Sequence, residues 1–163
     1  GNQIKVVKEV KCLGVIFDNK LSFLPHITML KEKCIGTLEV IKVVANSKWG
    51  ADKINLLHLY RSLGRSKLDY GCIVYGSART SFLKSHDAIH HQGLRLCPGA
   101  FRTYPVHSLY VEANEPPLDL RRLKLTLQYI VKLKANIENT AFLHLTVFLI
   151  HNMKIYTTKI KNV

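Results

Sequence analysis

The sequence predicts a mainly α protein: a short N-terminal β-hairpin followed by a bundle of four or five helices. Three observations carry this. Up to about residue 23, short apolar and polar runs alternate and are broken by turn residues. From Pro25 onward, apolar residues recur at three- and four-residue steps in stretch after stretch. Glycine or proline pairs punctuate these stretches at helical lengths. With 163 residues and a 47% hydrophobic composition, the chain can bury a real core, and five prolines argue against general disorder.

At the N-terminus, Ile4, Val6 and Val10 sit among lysines, and Leu13–Phe17 follows a break. Asp18-Asn19 supplies turn chemistry, so two or three short strands are expected within residues 3–23. Asp18 reads as a turn residue rather than a catalytic acid. From Pro25, the residues Ile27, Leu30, Cys34, Leu38 and Ile41 form one apolar stripe, with Lys31, Lys33 and Lys42 mostly off it. Gly36 weakens this helix by roughly 1 kcal/mol relative to alanine; it either permits a close helix crossing or is incidental. Asn46–Gly50 breaks the pattern, and Asp52 stands where a helix start favours an acceptor or a negative charge.

Ile54, Leu57 and Tyr60, with Leu56 and Leu63 alongside, predict a second helix to about Tyr70, ended by Gly71 and Gly76. A third spans Ser81–Leu96 with Leu83, Ile89 and Leu94 inward, stopped by Pro98-Gly99. Thr103 and Pro105 open a short helix, Pro105–Glu112. Pro116-Pro117 opens the most regular one, on Leu120, Leu123, Leu127, Ile130 and Leu133, with Arg121, Arg122, Lys124, Lys132 and Lys134 on its other sides. After Asn139 the character changes to an apolar run, Phe142–Ile150, and a tail with Lys154, Lys159 and Lys161. There is no internal repeat and no low-complexity tract.

The net charge is +13, from 24 Lys+Arg against 11 Asp+Glu. Residues 1–80 hold 13 basic and 6 acidic residues and residues 81–163 hold 11 and 5, so the charge belongs to a folded surface rather than a tail. Such a surface favours a polyanion through phosphate neutralisation and counterion release. Cys12, Cys34, Cys72 and Cys97 are widely spaced with no CxxC pair, which reads as reduced thiols inside a cell, nuclear or cytoplasmic. No signal peptide is expected. The apolar region Ala141–Ile150 contains His144 and Thr146 and is far short of the roughly 20 residues of a membrane span, so no membrane association is expected.

The chemistry-bearing residues exclude several classes. His86 and His90 are four apart, with His91 and Cys97 nearby, but HExxH is absent and Cys97 precedes a proline. These histidines are read as solvated or phosphate-facing, and no metal ligand is assigned. No GxSxG elbow, Walker loop or GxGxxG is present. Asp52, Asp69 and Asp87 are isolated, and there is no Asp-Asp pair. Two-metal phosphoryl transfer needs clustered carboxylates to hold cations about 4 Å apart, so no catalytic residue and no cofactor are assigned. Nucleic-acid binding is better supported. Arg61, Arg65 and Lys67 cluster on the second helix with Tyr60 and Tyr70 interleaved, and Arg95 and Arg102 flank Pro98 beside His90 and His91. The arginines and the lysine are read as phosphate contacts; each tyrosine is read as core.

Several blocks, taken in order, resemble the reverse transcriptase of non-LTR retrotransposons, particularly the jockey-like elements of arthropods. CLGVIFDNKLSFLPHI looks like the primer-grip hairpin that closes the palm and leads into the first thumb helix. WGADKINLLHLYRSLGRSKLDYGCIVYGSA resembles the thumb helices, and IHHQGLRL and GAFRTYPVHSLYVEANEPPLDLRR resemble the region after them. The resemblance implies an RNA-directed DNA polymerase whose magnesium-binding aspartates lie in fingers and palm blocks not seen here. It therefore implies a fragment, inactive alone, that holds a template–primer RNA–DNA duplex and partners the upstream palm and fingers. The implied domains are a palm remnant with the primer-grip hairpin (1–24), a thumb and post-thumb helical region (25–139) and a divergent tail (140–163).

Position by position, the resemblance puts Cys12, Leu13 and Gly14 in the primer grip, where a glycine lets backbone approach the primer closely. Cys12 stands where the family usually has an aromatic residue. Gly64 replaces a branched apolar residue and should loosen the second thumb helix, and Cys97-Pro98 replaces a small apolar pair. A helical nucleic-acid-binding protein of a domesticated element and a non-functional pseudogene product are the alternative expectations. A two-stranded ribbon alone is only marginally stable, so the hairpin is expected to hold only if it packs on the helices.

Overall fold

The computed structural model describes residues 7–46 and 50–135. Expectations for Ile4, Val6 and everything after Asn139 lie outside the described residues. The backbone divides into two compact units, Gly1–Leu118 and Asp119–Val163.

The first unit opens with the hairpin. Strands β1 (Glu9–Cys12) and β2 (Val15–Asp18) pair antiparallel, from Glu9 opposite Asp18 to Cys12 opposite Val15. That register leaves Leu13 and Gly14 as a two-residue loop, with φ of 46° and 84°. Positive φ at both central positions is what the type I′ hairpin turn requires. The ribbon does not stand alone. Val15 is buried, Phe17 packs edge-to-face on Phe23 at 5.6 Å, and the Ile16 N–H donates to His26 Nδ1 at 3.4 Å.

Asp18 proves to be the turn residue expected of it. Its carboxylate accepts from the Ser22 N–H (3.1 Å), the Ser22 hydroxyl (2.9 Å) and the Phe23 N–H (2.8 Å). It thereby fixes Phe23, which takes φ 57° immediately before helix α1 (Leu24–Val44). Desolvation raises the Asp18 pKa, but these hydrogen bonds outweigh it and hold the carboxyl below its ordinary value.

Helix α1 buries the stripe read from the sequence, Ile27, Leu30, Cys34, Leu38 and Ile41, together with His26 and Thr37. Gly36 does not mark a helix crossing: it is exposed, and a Cβ there would meet nothing within 4 Å. The second predicted helix is built in pieces, α2 (Lys53–Tyr60), a π-helical turn (Arg61–Arg65) and α3 (Ser66–Asp69). The interruption surrounds one side chain. Tyr60 is buried, and a Cβ on Gly64 would sit 2.9 Å from its ring, one on Gly93 only 2.3 Å. Two positions without side chains thus make the slot for the Tyr60 ring, and the π turn falls where the sequence suggested Gly64 would loosen the helix.

Gly71, at φ 69°, turns the chain into α4 (Cys72–Tyr75), whose Tyr75 hydroxyl donates to the Leu68 carbonyl inside the core. Helix α5 (Thr80–Leu96) lies against α1 and buries Leu83, His86, Ile89, His90, Gly93 and Leu94. Helix α6 (Val106–Ala113) ends on Asn114 at φ 50°, a left-handed cap that Asn adopts readily. The second unit contains nearly all of α7 (Leu118–Ala135), with Asp119 in its first turn and Lys132 and Lys134 in its last, charges that suit the helix dipole. The expected class, mainly helical with an N-terminal hairpin, is the class found.

Candidate nucleic-acid interface

The turn expected as a primer grip, Cys12, Leu13 and Gly14, sits at the tip of the hairpin. Cys12 is exposed, and Leu13 is 86% exposed. The turn is held from behind by Tyr70, whose hydroxyl donates to the Leu13 carbonyl at 2.7 Å. A Cβ on Gly14 would come within 3.3 Å of the same ring, so the open side of Gly14 is occupied by Tyr70. Tyr70 is therefore not the core residue the sequence suggested: it is 60% exposed. Its ring lies across the turn because the αL geometry of Gly71 redirects the chain right after it. Tyr60 is core, as expected.

The three cations of the second helix have partners inside the protein. Glu115, with a side chain only 2% exposed, accepts from Arg61 Nε at 2.6 Å and from Arg65 Nη1 at 2.5 and 2.6 Å. Arg61 Nη2 also donates to the Ala113 carbonyl at 2.9 Å. The Asn114 cap makes this possible by turning the chain after α6, so that Glu115 enters the fold between the two guanidinium groups. Lys67 Nζ donates to Thr37 Oγ1 at 2.5 Å. These contacts join α1, the π turn, α3 and the end of α6. Glu115 escaped the sequence reading; a lone acid between a helix end and Pro116-Pro117, in a chain with few acids, was the available signal.

Arg95 and Arg102 lie elsewhere and together. They line an open cleft of about 740 Å³ with Lys42, Ala45, Ala88, Gln92, Leu96, Gly99 and Ala100. The cleft lies between the end of α1, α5 and the loop after it. Three of these nine residues are cationic and none is acidic. Lys42 pairs with Glu39 one turn back along α1. Arg95 Nη2 reaches the Tyr104 carbonyl at 3.4 Å, and its Nε is buried without a hydrogen-bond partner among the described residues. Arg102 is exposed.

His86 and His90 are neither solvated nor phosphate-facing, contrary to expectation. His86 and His90 fall on the buried face of α5, four residues apart, and both are fully buried. The Tyr60 hydroxyl lies 2.6 Å from His90 Nδ1, and His86 Nε2 lies 3.2 Å from the Ile27 carbonyl. Burial pushes His90 down to about 4, while Glu115 pulls the other way and His91 and Arg65 add to the fall. Burial raises the Tyr60 phenol, so its hydroxyl stays protonated in this pair. His91 is half-buried and meets the Tyr110 hydroxyl at 2.6 Å. Cys97 is buried and donates to the Gly93 carbonyl at 3.2 Å; its thiol is pushed up to about 12, chiefly by burial.

Among the described residues no three His, Cys, Asp or Glu side chains come together as a metal site. No helix among them is long and apolar enough to cross a membrane.

The chain is similar to segments of retrotransposon proteins. It is 26% identical over 126 residues to the retrovirus-related Pol polyprotein from type-1 retrotransposable element R1 of Bradysia coprophila, covering 74% of this chain and 12% of that protein. It is 24% identical over 146 residues to the putative 115 kDa protein in type-1 retrotransposable element R1DM of Drosophila melanogaster, covering 88% and 14%. It is 28% identical over 89 residues to the probable RNA-directed DNA polymerase from transposon X-element of the same fly, covering 55% and 10%. The chain thus spans 10% to 14% of the length of these curated relatives. No family model and no solved structure matches it.

Proposed function

We propose that this chain is the part of a jockey-like retrotransposon RNA-directed DNA polymerase that holds the RNA–DNA template–primer duplex by its backbone, with catalysis supplied by palm and fingers. The observation that carries the reading is the similarity, across 74% of the chain, to a segment of a Pol polyprotein. The net charge of +13 gives the affinity for phosphate, and the hairpin offers an exposed turn, with Leu13 outward and Tyr70 behind it, for the primer end. Arg95 and Arg102, on the acid-free cleft, serve the phosphates in this reading. Arg61 and Arg65 serve through Glu115: they fix the helices that present the basic surface, and their own contact with a strand is confined to the guanidinium edges that Glu115 leaves open.

The test is binding of an RNA–DNA hybrid to the wild-type chain and to the Arg95→Ala plus Arg102→Ala variant. Two lost phosphate contacts should weaken binding about tenfold or more at low salt, measured well below the variant's own melting temperature because Arg95 also reaches the Tyr104 carbonyl. Unchanged affinity in the variant would remove these two residues from the interface.

A further inference from the structure

The cleft differs in shape from a surface built only to cradle a duplex. A duplex offers its phosphates on a convex rim and keeps its bases stacked inside, whereas the cleft is concave and open, with a volume of about 740 Å³, inside the roughly 300–1,000 Å³ range of small-ligand sites. Its walls are graded. Ala45, Ala88, Gly99 and Ala100 leave flat, side-chain-poor surface, and a Cβ on Gly99 would meet nothing within 4 Å. Lys42, Arg95 and Arg102 supply positive charge, and Gln92 supplies both a donor and an acceptor.

Between the lining residues Ala100 and Arg102 stands Phe101, which is 83% exposed. The Tyr104 N–H donates to the Phe101 carbonyl at 3.0 Å, so the backbone that carries the ring is a closed turn. Phe101 does not itself line the groove, but it is carried on the same turn as Ala100 and Arg102, which do. Cations on a groove with an exposed aromatic residue on its flanking turn are the parts by which proteins hold unpaired strands, phosphates on the cations and a base on the ring.

We propose that the cleft between α1, α5 and the Cys97–Tyr104 loop takes unpaired nucleotides of a single strand, with Lys42, Arg95 and Arg102 on the phosphates and Phe101 as the stacking platform for a base. The inference rests on the nucleic-acid reading above and adds that the strand at this site is unpaired. In a primed template, the cleft would hold a single-stranded extension beside the duplex.

The experiment uses three RNA–DNA hybrids of one duplex sequence: blunt, with a six-nucleotide unpaired extension, and with the same extension made abasic. The two extensions carry equal charge, so the ratio of their affinities reports the bases alone. The wild-type chain should prefer the base-bearing extension by about fivefold or more, the low end of one base–aromatic stack. Phe101→Ala, at a solvent-facing position, should bring that ratio to about one. Equal affinity of the wild type for the two extensions, or a ratio that survives Phe101→Ala, overturns the cleft proposal while binding of the blunt hybrid leaves the duplex reading standing. Failure to bind any of the three at low salt overturns both.

Discussion

Glu115 is one of only 11 acids, and its carboxylate is buried against two guanidinium groups. Removing one partner of a buried ion pair leaves an uncompensated charge, which typically costs about 3–5 kcal/mol. Glu115→Ala should therefore lose stability in a denaturant titration, toward the low end of that scale, because Arg61 and Arg65 lose their shared carboxylate while Arg65 keeps Asp69 at 3.7 Å and Arg61 stays partly exposed. A loss below about 1 kcal/mol would mean that water reaches the pair freely. Whether an arginine faces outward was not legible in the sequence: apart from Asp69, four residues after Arg65 and 3.7 Å from its Nε, nothing there sets Arg61, Arg65, Arg95 and Arg102 apart, and the chain reversal at Asn114 brings the shared acid Glu115 to the first two. Tyr70 misled for a related reason. Its apolar body sits at a helix end, and the positive φ of Gly71 decides that it reaches the hairpin rather than the core.

At the scale of elements, the stripes of α1 and α5 were read well. Helix α1 buries all five apolar residues expected of it, and α5 runs from Thr80 to Leu96 against an expected Ser81–Leu96. On α7, by contrast, Leu120 and Leu127 are exposed and Arg122 and Thr126 buried, against the stripe expected there, and Ile54 on α2 is exposed too. A loosening at Gly64 was legible, but the π turn itself was not, because it depends on two glycines from different helices closing on one ring. These glycines and Gly36 make opposite predictions. Gly93→Ala would force a Cβ to 2.3 Å from the buried Tyr60 ring and should destabilise by about 1–3 kcal/mol or more. Gly36→Ala adds a methyl to open space in an exposed helix interior and should stabilise by up to about 1 kcal/mol. Thermal melting of the two variants checks both signs. The histidine pair on α5 was misread by the same limit: spacing of four places two side chains on one face but does not say which face.

At the scale of the molecule, the core of the first unit carries polar groups that make it sensitive to acid. His90 protonates near 6.5 when unfolded and only near 4 when folded. Between those values the unfolded chain binds more protons, so stability rises with pH; it is complete above about pH 6.5 and is lost progressively toward pH 4. Burial lowers His26 and His91 as well, which adds to the same trend. His90 alone should remove about 2 kcal/mol by pH 5, visible as a fall in melting temperature between pH 7 and pH 5; a flat profile would place His90 in contact with water. Nucleic-acid measurements therefore belong near pH 7 or above.

The overall class was legible because it is a property of pattern summed over many residues. The site was half legible, because a cleft is made by elements far apart in sequence. The central claim, that this surface holds nucleic acid by its phosphates, is tested most directly by titrating the wild-type chain with an RNA–DNA hybrid over a range of salt. Log affinity should fall linearly with log salt, with a slope that becomes shallower by about one for each phosphate contact removed with Arg95 or Arg102. Absence of binding at low salt, or an affinity indifferent to salt, would contradict it.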